Sequence, residues 1–255
     1  MSDVTQLAQQ LADLHDSGRT LVLPTVWDTW SANVAVSAGF EGLTIGSHPV
    51  ADATGSADGE KMDFKDYLRH SQVIMDSVNI PVSVDVESGY GLEPAELIGR
   101  LLDAGAAGAN IEDVVHSESK RVRDRQEHAD YIAAARQSAD EAGVSFVING
   151  RTDALKFGTD VFADPAEEAI ARVKLMEQAG ARAVYPVGLS TAEQVRRFVE
   201  AVQIPVNVTA HPVKAHGAGN LAELGSLGVR RVTFGPLWQI WLAELSAAEL
   251  AKWVK

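Results

Sequence analysis

Residues 81–113 read PVSVDVESGYGLEPAELIGRLLDAGAAGANIED. Pro81 blocks helix continuation and feeds an extended run, PVSVDV at 81–86. The stretch PAELIGRLLDA at 94–104 carries apolar residues at helical spacing. Gly105 follows as a stop signal, because glycine takes the left-handed backbone at little cost. A second short β-rich run, AGANI at 107–111, comes next. Two strands joined through a helix return in the same direction, so the pair is parallel.

The same grammar extends outward in both directions. Further β-rich runs lie at 20–26 (TLVLPTV), 42–46 (GLTIG), 144–149 (VSFVIN), 182–186 (RAVYP), 204–208 (IPVNV) and 230–234 (RRVTF), which brings the total to eight. Helical periodicity fills 127–142 and 165–179. Four strands follow a glycine helix stop: SAGFEGLTI, DAGAAGANI, QAGARAVYP and SLGVRRVTF. VQIPVNVTA repeats the proline entry of VNIPVSVDV. Strand starts fall roughly 20–40 residues apart, as βα units with loops require. The pattern predicts an α/β fold, a (β/α)8 TIM barrel, as a single domain over residues 1–255. A doubly wound sheet is the rival, but no G-x-G-x-x-G follows the first strand.

Composition narrows the function classes. Hydrophobic residues make up 46% and charged residues 22%, as in globular proteins. The chain has no cysteine, which excludes a disulfide scaffold, a thiolate metal site and a cysteine nucleophile. A net charge of −13 argues against nucleic acid and against anionic lipid as partners. No run of 18 apolar residues suggests a membrane span, and the polar start lacks a signal-peptide core. The expected location is cytoplasmic.

In this fold the chemistry sits at the C-terminal strand ends. Those ends offer Trp27 and Asp28, Ser47 and His48, Asp85 and Glu87, Glu112 and Asp113, Asn149, Arg151 and Asp153, then Asn207, Thr209 and His211. Asp85 and Glu87, two positions apart on an extended run, project to one side. Paired carboxylates repel unless compensated, and all-oxygen ligands suit Mg²⁺, or Mn²⁺ in its place. The plainer reading is a solvated strand end. Glu112 would lie beside them, since the third and fourth strands are neighbours, and Asp113 would cap a helix or partner an arginine. Arg151 has a fork suited to a substrate carboxylate, or to an ion pair with Asp153 or Glu112. Asp58, in the polar loop 51–62, is in reach of the same site. The charged segment 116–130 (HSESKRVRDRQEHAD) reads either as a lid or as a solvated helix face with pairs such as Arg123 to Glu127. The histidines show no metal-ligand spacing, and no lysine ends a strand.

Together these motifs resemble the isocitrate lyase / phosphoenolpyruvate mutase superfamily, as a phosphonomutase-like member. The matching set is Trp27, Ser47, SVDVESGYG, G-x-N-I-E-D at 108–113, I-N-x-R-T-D-A at 148–154 and Asn207. The resemblance implies a (β/α)8 barrel assembled as a homo-oligomer, dimer or tetramer. Helix exchange at the C-terminus is not expected with so little chain beyond the eighth helix. It implies Asp85 as direct Mg²⁺ ligand, with Glu87, Glu112 and Asp58 reaching the metal directly or through water. Ser47, the backbone at His48, and Arg151 would hold the 2-oxo-acid end of a small substrate. Trp27 and Asn207 would line the pocket. The shared chemistry is an enolpyruvate-like anion formed by breaking a C–C or C–P bond.

Departures from the superfamily shape the expected substrate. The lyase lid motif K-[KR]-C-G-H is missing, and the lid reads HSESKRVRDR. Ser47-His48-Pro49 replaces the usual Ser-Gly, and carboxylates that line the lyase pocket after strands six and seven are replaced by Val187 and Ala210. The expectation is therefore C–C cleavage, of lyase or decarboxylase type, in a small 2-oxo or 2-hydroxy acid. Glu112, Arg151 and a lid group (His116, Lys120 or Arg121) would carry the catalysis. The alternatives are C–P chemistry, as a phosphonomutase or phosphonopyruvate hydrolase, and a keto-acid-binding barrel without turnover.

Overall fold

A computed structural model describes residues 3–254. Among them eight parallel strands form a (β/α)8 barrel. We label them β1 (Leu21–Leu23, continued by Thr25–Val26), β2 (Leu43–Ile45), β3 (Val82–Asp85), β4 (Gly108–Glu112), β5 (Val147–Thr152), β6 (Ala183–Pro186), β7 (Asn207–Thr209) and β8 (Arg231–Thr233). Pairing runs in order from β1 to β6. At one seam Val184 of β6 bridges Val206, just before β7, and the Val184 N–H donates to the Pro205 carbonyl at 2.9 Å. At the other, β8 pairs with both β7 and the first half of β1. Pro24, which lacks an N–H, marks the point where β1 changes partner from β8 to β2.

The helix stops act as the sequence implies. Gly39, Gly105, Gly180 and Gly228 all take φ near +90° (90, 92, 90 and 92). Each turns the chain from a helix back into a strand. The helix Pro94–Asp103 shows the packing logic: Pro94 opens it, and Leu97, Ile98 and Leu101 are buried beneath it. The helix Val4–Asp16 covers the N-terminal mouth of the barrel through Ala8, Leu11, Ala12 and His15. No helix among the described residues is long and apolar enough to cross a membrane.

The barrel interior is polar where apolar layers are usual. Ser83 and Asp85, Asn110 and Glu112, Asn149 and Arg151, Asn207 and Thr209, and Arg231 and Thr233 recur at every second position of their strands. Hydrogen bonds cross between these strands, as from Asn149 to Asn110 and from Arg231 to Asn207. The intervening Val84, Ile111, Val208 and Val232 are buried in the apolar core.

Two local expectations change. β5 begins later than the 144–149 run and extends to Thr152, which places Arg151 on the strand itself. Segment 116–130 is neither a loose lid nor one helix face. A 3₁₀ turn, His116–Glu118, is followed by a short hairpin strand, Arg121–Val122, against Val114–Val115. The helix Arg125–Glu141 then starts behind a capping box of Asp124 and Glu127. Arg123 does not pair with Glu127. It is buried, donates to the carbonyls of Glu112 and Ser88, and lies 4.2 Å over the Tyr131 ring. Arg121 takes Glu127 instead, through two bonds of 2.7 and 2.8 Å.

Candidate active site

A cavity of about 230 Å³ opens at the C-terminal strand ends, lined by Ser47, His48, Asp58, Asp85, Asn110, Arg151, Lys156 and Tyr185, among others. Arg151 lies at its charged centre. Its Nη1 is 2.7 Å from Glu112 and 3.7 Å from Asp85. Its Nε and Nη2 donate to the two oxygens of Asp153 at 2.8 and 3.0 Å. Burial works against the Arg151 charge, and Glu112 and Asp153 outweigh it, holding its pKa well above the usual range. Both ion pairs read from the sequence are thus present, and Arg151 still faces the cavity. Asp113 also takes an arginine, Arg172, at 3.0 Å, and accepts from the Thr152 hydroxyl at 2.6 Å.

Asp85 and Glu87 come together by a route other than strand alternation. β3 ends at Asp85, and Glu87 takes a left-handed backbone with φ 49°. Its N–H donates to the Asp85 carboxylate at 3.3 Å. Glu60 holds this turn in place: its own N–H donates to both Glu87 oxygens at 2.9 Å, while its carboxylate accepts from Ser88 and Tyr90. Glu60 and Tyr90 are also left-handed, at φ 57° and 55°. Such conformations cost of order 1–3 kcal/mol each and persist where the surroundings over-determine them.

Glu87, Glu112 and His116 bring ligand atoms within 4.8 Å of one another. His116 Nε2 is 2.6 Å from Glu112 and 3.4 Å from Glu87. The hydrogen bond to Glu112 raises the His116 pKa. Burial raises Asp85 to about 7, with the nearby Arg151 opposing and Glu112 adding to the rise. Burial also pushes Glu87 up, and Asp85 reinforces the shift. Crowded, buried carboxylates that resist ionisation are the donor set a divalent cation would neutralise. The histidine was read in the sequence as a lid group without metal spacing, and the hairpin turn brings it into this cluster.

The raised carboxylates set a sign for stability. A folded state that binds these protons more tightly than the unfolded chain is favoured below the ordinary carboxylate range, and loses that advantage as pH rises through about 7. With EDTA present, the melting temperature is expected to fall between pH 5.5 and 8, and added Mg²⁺ to suppress the fall. Calorimetric scans at both pH values check it; a rise with pH under EDTA would contradict it.

The remaining candidates divide. Ser47, His48 and Asp58 line the cavity with Asp85 and Arg151. His48 is 3.2 Å from Asp58 and 3.4 Å from Asp52. Trp27 and Asn207, expected in the pocket, do not line it. Trp27 packs edge-on against Trp238, and Asn207 is fully buried in the barrel interior, where Arg231 engages it. Lys120 is exposed on the hairpin and borders a separate cleft with Arg125 and Phe162, and Arg121 is held by Glu118 and Glu127. Neither side chain lines the cavity. Lys156, which the sequence reading passed over, lines the cavity from the short helix Ala154–Phe157 and is 3.2 Å from Asp153. Glu60 was also passed over, because only its long-range partners reveal its role. Lys120→Ala is expected to leave kcat/KM within about twofold, as for an exposed side chain away from the chemistry. A tenfold loss in steady-state assays would return Lys120 to the site.

The sequence matches the family described as phosphoenolpyruvate phosphomutase over residues 11–252. A protein from Burkholderia cenocepacia J2315, provisionally described as a phosphonomutase, is 36% identical and superposes with a TM-score of 0.86 over 97% of this chain and 99% of its own. The structure of an oxaloacetate acetylhydrolase with its product oxalate is 25% identical, with a TM-score of 0.83 over 100% of this chain and 87% of its own. The 2-methylisocitrate lyase of Escherichia coli strain K12 is 30% identical over 70% of this chain and 62% of the relative.

Proposed function

Because this chain belongs to the phosphoenolpyruvate phosphomutase family, we propose that it is a Mg²⁺-dependent enzyme that cleaves a carbon–carbon bond in a small 2-oxo or 2-hydroxy carboxylic acid. The observation that carries this reading is that Arg151 links the cavity-lining Asp85, at 3.7 Å, to Glu112, at 2.7 Å, which belongs to the Glu87–Glu112–His116 cluster. Asp85, Glu87 and Glu112 would hold the cation, with Asp58 reaching it through water. The cation supplies Lewis acidity to the 2-oxo carboxylate end of the substrate.

The chain's own residues supply the rest. Arg151, fixed by its fork on Asp153, places a permanent positive charge where the enolate oxygen develops. Ser47 and the backbone at His48, at the start of the helix Ser47–Thr54, hold the carboxylate. Of the lid groups read from the sequence, His116 keeps a proton on Nε2 against Glu112 and takes the proton-transfer role. Lys156 and His48 stand at the open side of the cavity.

The alternative is C–P chemistry, which the phosphonomutase-like neighbour from Burkholderia cenocepacia favours. Charge argues for the C–C reading. Asp58 and Asp85 line the cavity, and the two permanent cations that line it, Arg151 and Lys156, are already engaged by the carboxylates of Glu112 and Asp153. A phosphonate dianion would find few free donors. The test is incubation with Mg²⁺ and a panel of 2-oxo, 2-hydroxy and phosphono acids, with pyruvate, glyoxylate, CO₂ and phosphate read together. EDTA-sensitive pyruvate or glyoxylate without phosphate supports the proposal. Phosphate release, or a rearranged phosphonate seen by phosphorus NMR, overturns it in favour of C–P chemistry. Binding without any product overturns it in favour of a keto-acid-binding barrel.

We also propose a homo-oligomer. The helix Leu237–Leu250 buries Trp238 but leaves Ile240, Leu245 and Leu250 exposed, and Trp253 follows at 88% exposure. A helix with apolar residues exposed on several of its faces offers surface for another copy to cover. Light scattering is expected to give a multiple of the 27.2 kDa chain mass; a monomer at micromolar concentration would refute it.

A further inference from the structure

Arg231 is fully buried inside the barrel, and its recorded partners among the described residues are all uncharged. Its Nε donates to Asn207 Oδ1 at 3.1 Å, its Nη1 meets His15 Nε2 at 2.9 Å, and its Nη2 donates to Asn110 Oδ1 at 3.3 Å. A guanidinium has only donors, so every neighbour must turn an acceptor towards it. One cation thereby sets the polarity of the whole network. His15 accepts at Nε2, carries its proton on Nδ1, and donates that to the Leu11 carbonyl at 2.7 Å. Asn207 gives its oxygen to Arg231 and donates through Nδ2 to Thr233 at 3.2 Å. Asn110 gives Oδ1 to Arg231 and also accepts there from Asn149 Nδ2 at 2.8 Å.

Two members of this network, Asn110 and Thr233, line the cavity, and of these Asn110 bonds Arg231 directly. In strand register it lies directly across from Asp85 on one side and Asn149 on the other. With its oxygen held by two donors, its Nδ2 hydrogens point away from Arg231. They have no partner among the described residues, and Nδ2 is not sealed from solvent. A donor of fixed orientation, beside Asp85 and facing a cavity that also contains Arg151, is complementary to an anionic oxygen.

We propose that Asn110 is a substrate-binding residue that donates through Nδ2 to a carboxylate or enolate oxygen, and that Arg231 is the positioning residue that holds the amide in that orientation. The proposal rests on the reading of the cavity as a site for small 2-oxo acids. Arg231 contributes in a second way. Its charge lies beneath the cavity without a paired carboxylate, so an anion bound above Asn110 supplies the missing counter-charge.

Calorimetric titration of oxalate into the Mg²⁺-loaded full chain tests both halves. The wild type is expected to bind, and Asn110→Ala to bind about ten- to a hundredfold more weakly, as for loss of a hydrogen bond to a charged group. Asn110→Asp places a carboxylate beside Arg231, which favours the fold, but removes the donor and adds a like charge to the cavity. It is expected to lose binding at least as strongly while its melting temperature holds or rises. A purely structural asparagine gives no such split. Arg231→Lys keeps a donor-only head group and is expected to rescue binding relative to Arg231→Gln, whose amide also offers an acceptor. If the wild type binds oxalate and both Asn110 variants bind within about twofold of it, the Asn110 proposal is overturned and the reading of the cavity stands. Equal binding by the two Arg231 variants overturns the orienting role. No oxalate binding by the wild type overturns the cavity reading and Asn110 with it.

Discussion

Arg151→Met is expected to abolish turnover and to lower the melting temperature by roughly 10 °C. Arg151 is the shared counter-ion of Glu112, Asp153 and Asp85. All three carboxylates are mostly buried, Glu112 at 2% side-chain exposure and Asp153 at 3%. Removing one partner of a buried ionic cluster typically costs about 3–5 kcal/mol, because the charges left behind have neither water nor a counter-ion. At about 2–4 °C per kcal/mol for a chain of this size, the shift is easily read by calorimetry. Arg151→Lys separates stability from chemistry. It restores a charge but not the fork on Asp153, so it is expected to recover part of the melting temperature and little of the activity. A methionine variant that melts like the wild type would show that the three carboxylates are compensated elsewhere.

Asp85→Asn is expected to act in the opposite sense on stability. It should remove turnover, by about a thousandfold or more, because the proposed metal anchor and the charge facing Arg151 would be lost together. Yet the fold loses a carboxylate that burial penalises, with a pKa pushed up to about 7. Arg151 keeps Glu112 and Asp153 as partners. The melting temperature in EDTA is therefore expected to hold or rise, the mark of a residue kept for function at a cost to the fold. Titration with Mn²⁺, followed by its paramagnetic resonance signal, should show weakened binding in the variant. Wild-type turnover or wild-type Mn²⁺ affinity would remove Asp85 from the metal site.

The fold was legible because its punctuation is local. Glycines at 39, 105, 180 and 228 and prolines at 81 and 205 mark strand entry by backbone chemistry alone, and all six occur where the barrel needs them. The candidate site was readable as far as strand ends reach: Asp85, Glu112 and Arg151 lie at or near the ends of β3, β4 and β5, and Ser47 follows β2. Beyond that, position depends on contacts between segments far apart in the chain. Glu87 and Glu60 both take left-handed backbone, and the Glu60 N–H donates to the Glu87 carboxylate across 27 residues, so no strand alternation could place them. Lys120 and His116 lie four residues apart in the same charged segment, yet His116 pairs with Glu112 while Lys120 is exposed, a difference the spacing does not show. One signal was present and unread. Polar residues at alternate positions in S-V-D, N-I-E, N-G-R, N-V-T and R-V-T mark a hydrophilic barrel interior. Reading it would have moved Asn207 into the interior and singled out Arg231.

That interior also dictates an order of assembly. Arg231 belongs to the last strand, and its partners His15, Asn110 and Asn207 come from the first helix and from the middle and late strands. During synthesis these early segments emerge before Arg231, the cation on which their amides and imidazole converge. Ring closure joins Leu21 to Arg231, a contact between residues far apart in the chain, and such pairings form late and slowly. A truncation before residue 231 would thus leave a half-wound, hydrated trough rather than a smaller barrel. The barrel closes only when its last strand arrives.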